Sequence, residues 1–311
     1  MIQPEVKKLL QLLRLFKQVE KSPQKGGSFS SVLGLDYHQL EPEQVEFNAK
    51  EKIITIRDVE LSNATPMLAS HLAMVDEITT MALLLTDTRP GVSLSLRAAR
   101  TTASTRETEK ETSTSIDVVS KVDRLGRNIS FTSAQVFDSV RGTLLSDASH
   151  VKYMPMPSRV AEFALSPRGW PLTQLYSNHV LEDIEKNETL QSSSLDNMLD
   201  SYQYHPEDGT ASFASSSSYN NGFGTLHGGA QAILMEHTIR EKLSREQQHE
   251  GGYQVDSLSV EYLTTPKSQT VQIEAEPLFD ESSDGRRKAF TTKMKSKGKL
   301  NSIGHVSLSK V

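Results

Sequence analysis

Asn221-Gly-Phe-Gly-Thr-Leu-His227-Gly228-Gly229, with an apolar run to Glu236 behind it, is the stretch of the chain that decides the fold. Its two adjacent glycines open a helix rich in Ala, Leu, Ile and Met, although glycine lowers helix stability. The first backbone N–H groups of a helix have no partner within it and carry partial positive charge. Because glycine has no Cβ, a ligand can approach these groups closely. A carbonyl oxygen that becomes anionic under attack is a ligand of this kind.

The chain also contains an internal repeat. The segment Gly126–Ser133 recurs as Gly285–Thr292, at an offset of 159 in the numbering (285 − 126). Alignment of Asp76 with Glu236, each on a long apolar segment, gives an offset of 160 (236 − 76). A repeat of this length indicates two copies of one structural unit.

Each copy predicts one long apolar helix followed by several antiparallel strands, since the strand segments alternate apolar and polar residues. The first copy predicts a helix at Met67–Leu85 and strands near Val92–Arg100, Ser115–Val122, Asn128–Phe137 and Leu145–Tyr153. The second copy predicts a helix at Gly228–Leu243 and strands near Tyr253–Tyr262, Thr270–Glu276, Lys288–Lys295 and Asn301–Lys310.

The spacing Asn-x5-His-Gly-Gly-x7-Asp/Glu on a central helix resembles the hotdog fold. It is most similar to the branch of acyl-CoA thioesterases that holds the phenylacetyl-CoA thioesterases and the thioesterase superfamily member 2-like proteins. In the first copy, Val75–Leu84 and Pro90–Ser93 resemble the helix, the carboxylate and the downstream Ser of the same family. The resemblance implies an α+β fold of two tandem hotdog domains, each an antiparallel sheet wrapped around a central helix, that form an intrachain pseudo-dimer.

Four segments follow from this interpretation. They are an N-terminal amphipathic helix (1–28), a first hotdog domain (29–155), a linker (156–193) and a second hotdog domain (194–311). The N-terminal helix carries leucines among charged residues, and we expect it to pack on the folded body or on a neighbouring subunit. The linker is rich in proline, and we expect Trp170 to anchor it.

The second copy keeps one wall of the site that the family builds between two domains. At the offset of 160, Asn221 and His227 correspond to Leu61 and Met67 of the first copy, whose side chains donate no hydrogen bond. The resemblance assigns the Gly228 N–H to the thioester oxygen. It assigns Asn221 to orienting water or thioester, and His227 to ordering the loop and bonding near the carbonyl.

The first copy keeps the opposite wall, which is formed by Asp76 and Ser93. In the family these positions supply the carboxylate, as general base on water or as direct nucleophile, and the hydroxyl that holds the water or the carboxylate. The opposite combination, with Glu236 facing Met67, is expected to be degenerate. The predicted reaction is hydrolysis of acyl-CoA thioesters to free acid and CoA at one composite site.

Three further residues are predicted to bind the substrate. Gly229 lies beside the predicted oxyanion donor, and Arg127 and Arg286 follow turn glycines in the two copies. Guanidinium groups at these positions could pair with the phosphates of coenzyme A. The alternative is that both are solvated residues of hairpin loops.

Composition excludes several other classes of function. The 311 residues contain no cysteine, so disulfides, thiolate metal sites and a cysteine nucleophile are excluded. The net charge of −5 has interspersed signs, which argues against nucleic-acid binding. No apolar run reaches the roughly 18 residues that would predict a transmembrane segment. We expect no cofactor beyond the coenzyme A of the substrate, and no metal.

Several expectations rest on the resemblance alone. Acyl-CoA is the expected partner, and the chain is expected to form a homodimer. The expected location is the cytoplasm, with the mitochondrial matrix or another organelle as the alternative. A non-catalytic acyl-CoA-binding or regulatory protein of the same fold is the alternative function.

Overall fold

The fold is known from a computed structural model. It describes residues 3–7, 9–10, 29–35, 40–61, 67–87, 91–101, 115–154, 163, 166, 168–169, 171–172, 195–216, 219–221, 225–246, 252–266, 270–279 and 286–310. Trp170 and most of the predicted linker lie outside these residues. The predictions for that segment therefore remain predictions.

One antiparallel sheet runs through both halves of the chain. Its strands follow the order β1-β2-β4-β5-β6-β3-β9-β12-β11-β10-β8-β7. The strands are β1 Val45–Asn48, β2 Ile53–Glu60, β3 Val92–Arg100, β4 Ser115–Leu125, β5 Ile129–Asp138, β6 Leu144–Tyr153, β7 Tyr202–His205, β8 Thr210–Ala214, β9 Tyr253–Tyr262, β10 Thr270–Phe279, β11 Arg287–Ser296 and β12 Lys299–Lys310. The helices are α1 Phe29–Val32, α2 Leu68–Thr86, α3 Leu195–Leu199 and α4 Gly228–Glu246, with a 3-10 turn at Pro42–Gln44.

The two halves meet where β3 pairs with β9. Ala98 pairs with Leu258, and their numbers differ by 160 (258 − 98). The flanking pair Arg97 and Ser259 is mirrored by Ala99 and Ser257, as a two-fold relation with the same offset requires. The register therefore shows the duplication directly, at the offset that the alignment of Asp76 with Glu236 predicts.

Each half wraps its part of the sheet around one central helix, α2 in the first half and α4 in the second. Both helices are apolar on the faces that the sheet covers, and residues such as Leu72, Val75, Ile233 and Leu234 are fully buried. The predicted arrangement of two tandem units, each a sheet around a helix, is confirmed. Helix α2 is long and apolar enough to cross a membrane by composition, but 78% of its most apolar window is buried inside the protein.

The predicted helices and strands agree with the structure within a few residues. Strands β3 and β9 begin and end where the alternation places them. The strands β1, β2, β7 and β8 were not predicted as strands. Strand β7 has no fully buried residue and so carries no alternation of burial, whereas β1, β2 and β8 alternate and were missed.

The N-terminal segment packs on the body where the structure describes it. Val6, Leu9 and Leu10 are buried in the main hydrophobic core. The backbone N–H of Lys7 donates to the carbonyl of Gln3, as in a helix. Packing on the folded body is thus confirmed for residues 3–7 and 9–10, and residues 8 and 11–28 lie outside the described part.

The close approach of α2 and α4 depends on Gly229. A Cβ on Gly229 would lie 2.6 Å from Ala73 Cβ and 2.8 Å from Ala73 Cα, and 3.0 Å from the Phe29 ring. Because the Ala73 atoms belong to a helix backbone and its first side-chain atom, they cannot rotate away. Gly229→Ala is therefore expected to lower the free energy of unfolding by about 1–3 kcal/mol, the cost of overpacking a core. Urea unfolding followed by circular dichroism measures this change.

Gly252→Ala is the matched control, since no atom lies within 4 Å of a Cβ built there. Its free energy of unfolding should stay within about 0.5 kcal/mol of the parent. Equal stability of the Gly229 and Gly252 variants would contradict the proposed packing constraint.

Candidate active site

The carboxylate of Asp76 on α2 lies against Gly228 at the start of α4. A Cβ built on Gly228 would be 3.0 Å from Asp76 Oδ2 and 3.0 Å from the hydroxyl of Tyr262. Asp76 is only 3% exposed. The structure thus brings a buried carboxylate of the first unit to a helix N-terminus of the second unit.

One oxygen of this carboxylate is fully engaged. Asp76 Oδ1 accepts the Ser93 hydroxyl at 3.0 Å and the Lys152 ammonium at 3.2 Å. His150 Nε2 lies 3.5 Å from the same oxygen. The predicted contact between Asp76 and Ser93 is therefore present, and Oδ2 is the oxygen that faces Gly228.

The surroundings of Asp76 keep it ionised. Burial would raise the pKa of the carboxyl, but the nearby Lys152, His150 and His227 lower it, as does the Ser93 hydrogen bond. The net effect holds the pKa of Asp76 far below its usual range. An ionised carboxylate can act as a nucleophile, or as a base of low strength.

His150 connects Ser93 to helix α2. Burial, reinforced by the Lys152 ammonium, holds the pKa of His150 well below 6.5, so the ring is neutral. Its Nε2 lies 3.0 Å from Ser93 Oγ and its Nδ1 lies 2.6 Å from Thr79 Oγ1. Because the Ser93 hydroxyl donates to Asp76, Ser93 Oγ is left to accept from His150 Nε2. The Thr79 hydroxyl also donates to the Val75 carbonyl at 2.7 Å. This chain of hydrogen bonds fixes the direction of the Ser93 hydroxyl.

His227 closes the start of α4. Its Nδ1 accepts the Gly229 N–H at 3.0 Å, and its Nε2 lies 3.0 Å from Glu77 Oε1. The ring stacks on Phe29 with a centroid distance of 4.6 Å. Burial lowers the pKa of His227, but the Asp76 and Glu77 carboxylates outweigh it and raise the pKa above its ordinary value. A second proton on Nδ1 would face Asp76 Oδ2, which is 3.6 Å away, in place of the Gly229 N–H.

Tyr262 of β9 holds the backbone at Gly228. Its hydroxyl donates to the Gly228 carbonyl at 2.9 Å. Burial, with a contribution from Asp76, raises the pKa of Tyr262 well above 10, so the phenol stays protonated. Within the described ranges, the Gly228 N–H has no acceptor. It is one of the first N–H groups of α4, which have no partner inside the helix.

Asn221 is hydrogen-bonded to Thr225, which lies two residues before His227. Its Oδ1 accepts the Thr225 N–H at 3.2 Å and the Thr225 hydroxyl at 3.1 Å. Its own N–H donates to the Thr225 carbonyl at 2.8 Å. Asn221 lies six residues upstream of His227, and residues 222–224 between them lie outside the described part. Its role toward a substrate remains a prediction.

The residues predicted to bind the substrate have different positions. Gly229 is bonded to His227 and packed against α2, so its visible role is to let the helices approach each other. Arg127 is exposed and precedes β5, whose Ile129 pairs with Tyr153, which in turn pairs with Val92 beside Ser93. Arg127 thus lies at the same end of the sheet as Asp76.

Arg286 lies toward the other end of the sheet, and its role in substrate binding stays a prediction. Arg287 pairs with Ser309, and Ser309 pairs with Gln254 near the first residue of β9. Tyr262 is the last residue of that strand, about 26 Å further along an extended chain. The physical reason is the two-fold relation of the halves, which sends equivalent loops to opposite ends.

The second pseudo-site is closed. Glu236 is fully buried, and its Oε2 accepts the Ala69 N–H at 2.7 Å, at the start of α2. Its Oε1 accepts from Arg240 Nε at 2.9 Å and Nη2 at 2.8 Å. Ala69 is the counterpart of Gly229 at the offset of 160 (229 − 69). A protein carboxylate therefore occupies the N–H that corresponds to Gly229, beside Leu68, which is the counterpart of Gly228 (228 − 68).

Sequence reasoning missed Lys152, His150, Tyr262 and Glu77. In β6 the inward-facing residues include His150 and Lys152, both buried, whereas the apolar Val151 and Tyr153 face outward. Alternation alone suggests the opposite face, because apolar side chains are normally the buried ones. The sequence signal that could have found them is the end of β6, where polar residues occupy the positions that alternate with the apolar Val151 and Tyr153.

The sequence matches no protein-family model and no curated protein. Solved structures are more informative. A proposed oleoyl thioesterase of Lactobacillus plantarum has a TM-score of 0.52 and 11% identity, with 83% of this chain and 96% of that chain covered. The acyl-CoA thioesterase II of Mycobacterium marinum has a TM-score of 0.50 and 9% identity, with 88% and 95% covered.

The 12:0-ACP thioesterase of Umbellularia californica is similar as well, with a TM-score of 0.50 and 10% identity, covering 84% of this chain and 95% of that one. At such identities the likeness shows the fold and not the activity. Together with the sheet topology, it shows that this chain has the α+β hotdog fold in two tandem units.

The lowered pKa of Asp76 predicts an acid-dependent contribution to stability. Above the unfolded-state pKa of about 3.9 the ionised carboxylate stabilises the fold, and this contribution is lost as the pH falls toward the lower folded-state pKa. Asp76→Asn leaves Lys152 buried without its anion, which costs about 3–5 kcal/mol near neutral pH. Urea unfolding between pH 7 and pH 3 should show the difference between parent and variant shrinking below about pH 4.

The exposed Asp123 supplies the control for this measurement. Asp123→Asn should differ from the parent by less than about 0.5 kcal/mol at each pH. A pH-independent gap between the parent and Asp76→Asn would show that the carboxyl does not titrate as its surroundings require.

Proposed function

We propose that this protein hydrolyses acyl-CoA thioesters to the free acid and coenzyme A at the site between Asp76 and Gly228. The observation that carries the proposal is the approach of a buried, ionised carboxylate of one unit to a helix N-terminus of the other. Solved structures of the same fold include thioesterases that act on CoA and ACP esters, and they support this class of reaction.

In the proposed complex, the thioester oxygen accepts the Gly228 N–H. This donor sits in the first turn of α4, where the helix dipole favours negative charge. The oxygen becomes anionic when the carbonyl carbon is attacked, so the bond strengthens in the transition state. Glycine is required here because a Cβ would stand 3.0 Å from both Asp76 Oδ2 and the Tyr262 hydroxyl, in the space that the carbonyl needs.

Asp76 Oδ2 is then within reach of the carbonyl carbon, and we propose direct attack. A general base works best when its pKa lies near the working pH, and the pKa of Asp76 lies far below it. Attack by Oδ2 forms a bond to the carbonyl carbon, breaks the C–S bond and releases the coenzyme A thiolate. Water then hydrolyses the mixed anhydride, which restores the carboxylate and yields the acid.

The neighbouring residues support this step. Ser93 and Lys152 hold Oδ1, which leaves Oδ2 free to turn toward the substrate. His227 holds the Gly229 N–H and so fixes the first turn of α4. The backbone N–H of His227 donates to the Tyr219 carbonyl at 2.9 Å, which helps to position the ring. Arg127, at the same end of the sheet, is the candidate for pairing with coenzyme phosphates.

Removal of the oxyanion donor tests the proposal. Gly228→Pro and Gly228→Ala both add a Cβ beside Asp76, but only proline removes the N–H, and proline is tolerated in the first turn of a helix. The proline variant should therefore have a kcat about 10²–10³-fold below that of the parent. The alanine variant loses activity through its Cβ alone, and because it keeps the N–H it should retain more activity than the proline variant. A thiol-release assay with a panel of acyl-CoA thioesters measures both.

Glu236→Gln is the matched control on the closed side. It keeps the shape of a side chain that is buried and bonded to Arg240 and Ala69. Most of the activity should remain. Loss of activity in this variant, with Asp76→Asn active, would reverse the assignment of the two sites. Saturable acyl-CoA binding without any thiol release would favour the non-catalytic alternative.

The covalent step predicts a trappable intermediate. A single turnover quenched in hydroxylamine should convert the mixed anhydride to a hydroxamate, seen by mass spectrometry on the acyl group or on the peptide that carries Asp76. Asp76→Asn supplies the blank. Turnover without any hydroxamate, under conditions that trap an authentic anhydride, would favour attack by water.

A further inference from the structure

Lys152 is a lysine inside the protein, with only 3% of its surface exposed. Its ammonium donates to Asp76 Oδ1 at 3.2 Å and to Thr80 Oγ1 at 2.6 Å. Asp76 and Thr80 are one turn apart on α2, and the Thr80 hydroxyl donates to the Asp76 carbonyl at 2.6 Å. The ammonium is thus fixed from two sides on the helix that carries the carboxylate.

The rest of the lysine side chain is enclosed as well. A Cβ on Gly91 would lie 2.9 Å from Lys152 Cδ and 3.3 Å from Lys152 Cβ, and 3.1 Å from the sulfur of Met154. The absence of a side chain at Gly91 therefore leaves the space that the lysine stem occupies. Because the lysine stem is closely packed, its ammonium is held in one conformation, unlike that of a mobile surface lysine.

We propose that Lys152 is a positioning residue for Asp76: its ammonium binds Oδ1 and turns the carboxylate so that Oδ2 faces Gly228. This inference rests on the proposed function and adds a residue to it. Lys152 does not touch the substrate carbonyl. It acts by binding Oδ1. Without that bond the carboxylate could rotate and present Oδ1 to the substrate in place of Oδ2.

The closed pseudo-site shows the same requirement met in another way. Glu236 also has a cation on one oxygen, but the cation is Arg240, one turn later on the same helix. Thr80 stands at the corresponding position of α2, as the offset of 160 requires (240 − 80). In the Asp76 site the cation is Lys152 of β6, and α2 supplies only the Thr80 hydroxyl, which accepts a hydrogen bond from the Lys152 ammonium.

Charged and titratable groups face Asp76 from each of the elements that pack against it. They are Lys152 and His150 from β6, His227 before α4, and Tyr262 from β9. His150 is neutral and Tyr262 stays protonated, as their surroundings dictate. Among these groups Lys152 is the cation whose nitrogen is hydrogen-bonded to Asp76 Oδ1, at 3.2 Å, whereas His227 Nδ1 lies 3.6 Å from Asp76 Oδ2.

Lys152→Gln tests the inference because it keeps a donor and removes the charge. Without the ammonium the pKa of Asp76 rises, so the acid limb of kcat/KM should move to higher pH by about 1–3 units. Loss of orientation should lower kcat by about 10–100-fold, with a smaller change in KM. Carbon-13 NMR of the Asp76 carboxyl carbon should show the same upward shift of its titration without substrate.

Thr80→Val is the second variant, in case the glutamine variant does not fold. It removes the hydroxyl that seats the ammonium at nearly constant volume, and a smaller shift in the same direction is expected. Lys295→Gln is the matched control, since Lys295 pairs with Glu274 at 2.7 Å on a strand of the other unit, away from Asp76. Its pH profile should match that of the parent.

The outcomes separate the two proposals. An active parent whose Asp76 titration is unchanged in folded Lys152→Gln and Thr80→Val overturns the role of Lys152 and leaves the thioesterase proposal standing. A parent that releases no thiol from any acyl-CoA overturns the proposed function, and the catalytic role of Lys152 falls with it. Matching shifts in the NMR titration and in the acid limb support both.

Discussion

Pairing between β3 and β9 is the contact on which the rest of the structure depends. It joins the two half-sheets into one and sets α2 beside α4 with their N-termini pointing to opposite ends. Because strand register has a period of two, a slip of one residue would turn every inward side chain outward. The same register that pairs Ala98 with Leu258 therefore decides that Asp76 meets Gly228. No contact within either unit alone could build this site.

The two-fold relation creates two equivalent places, and small chemical differences decide their fates. At one of them the side chain is Glu236, which is one methylene longer than aspartate and takes the Ala69 N–H as its own partner. At the other, His227 caps the corresponding Gly229 N–H, and Asp76 lies close by without filling the Gly228 position. Methionine at position 67 could not cap an N–H, because its side chain has only a weak acceptor sulfur. The difference between the two sites thus lies in their side chains and not in the backbone fold.

The Asp76 site also concentrates buried charge in a way that packing alone would not select. Buried ion pairs often contribute little net stability, since desolvation offsets their attraction. Here Asp76, Lys152 and the polar ring of His150 lie together in the core, where apolar residues of similar size would pack well. A buried cluster of charged and polar side chains is not what a sequence needs for stability alone. Such clusters therefore indicate a functional site. The closely fitted glycines, 91, 228 and 229, give the same indication, because each leaves room for a neighbouring group.

The resemblance to a known family predicted that Asp76 meets the His-Gly-Gly turn. The sequence by itself determined the duplication, the long helices and eight of the strands. These features are local patterns or matches at a constant offset, which a linear chain displays. Only the tertiary structure decided that His150 and Lys152 face inward, that Glu236 closes its own site and that Arg286 lies far from Asp76. The face that a strand buries, and the end of the sheet that a loop reaches, follow from pairing between segments that are distant in the chain, such as β3 and β9. Such pairing depends on the three-dimensional register, and no spacing within one segment encodes it.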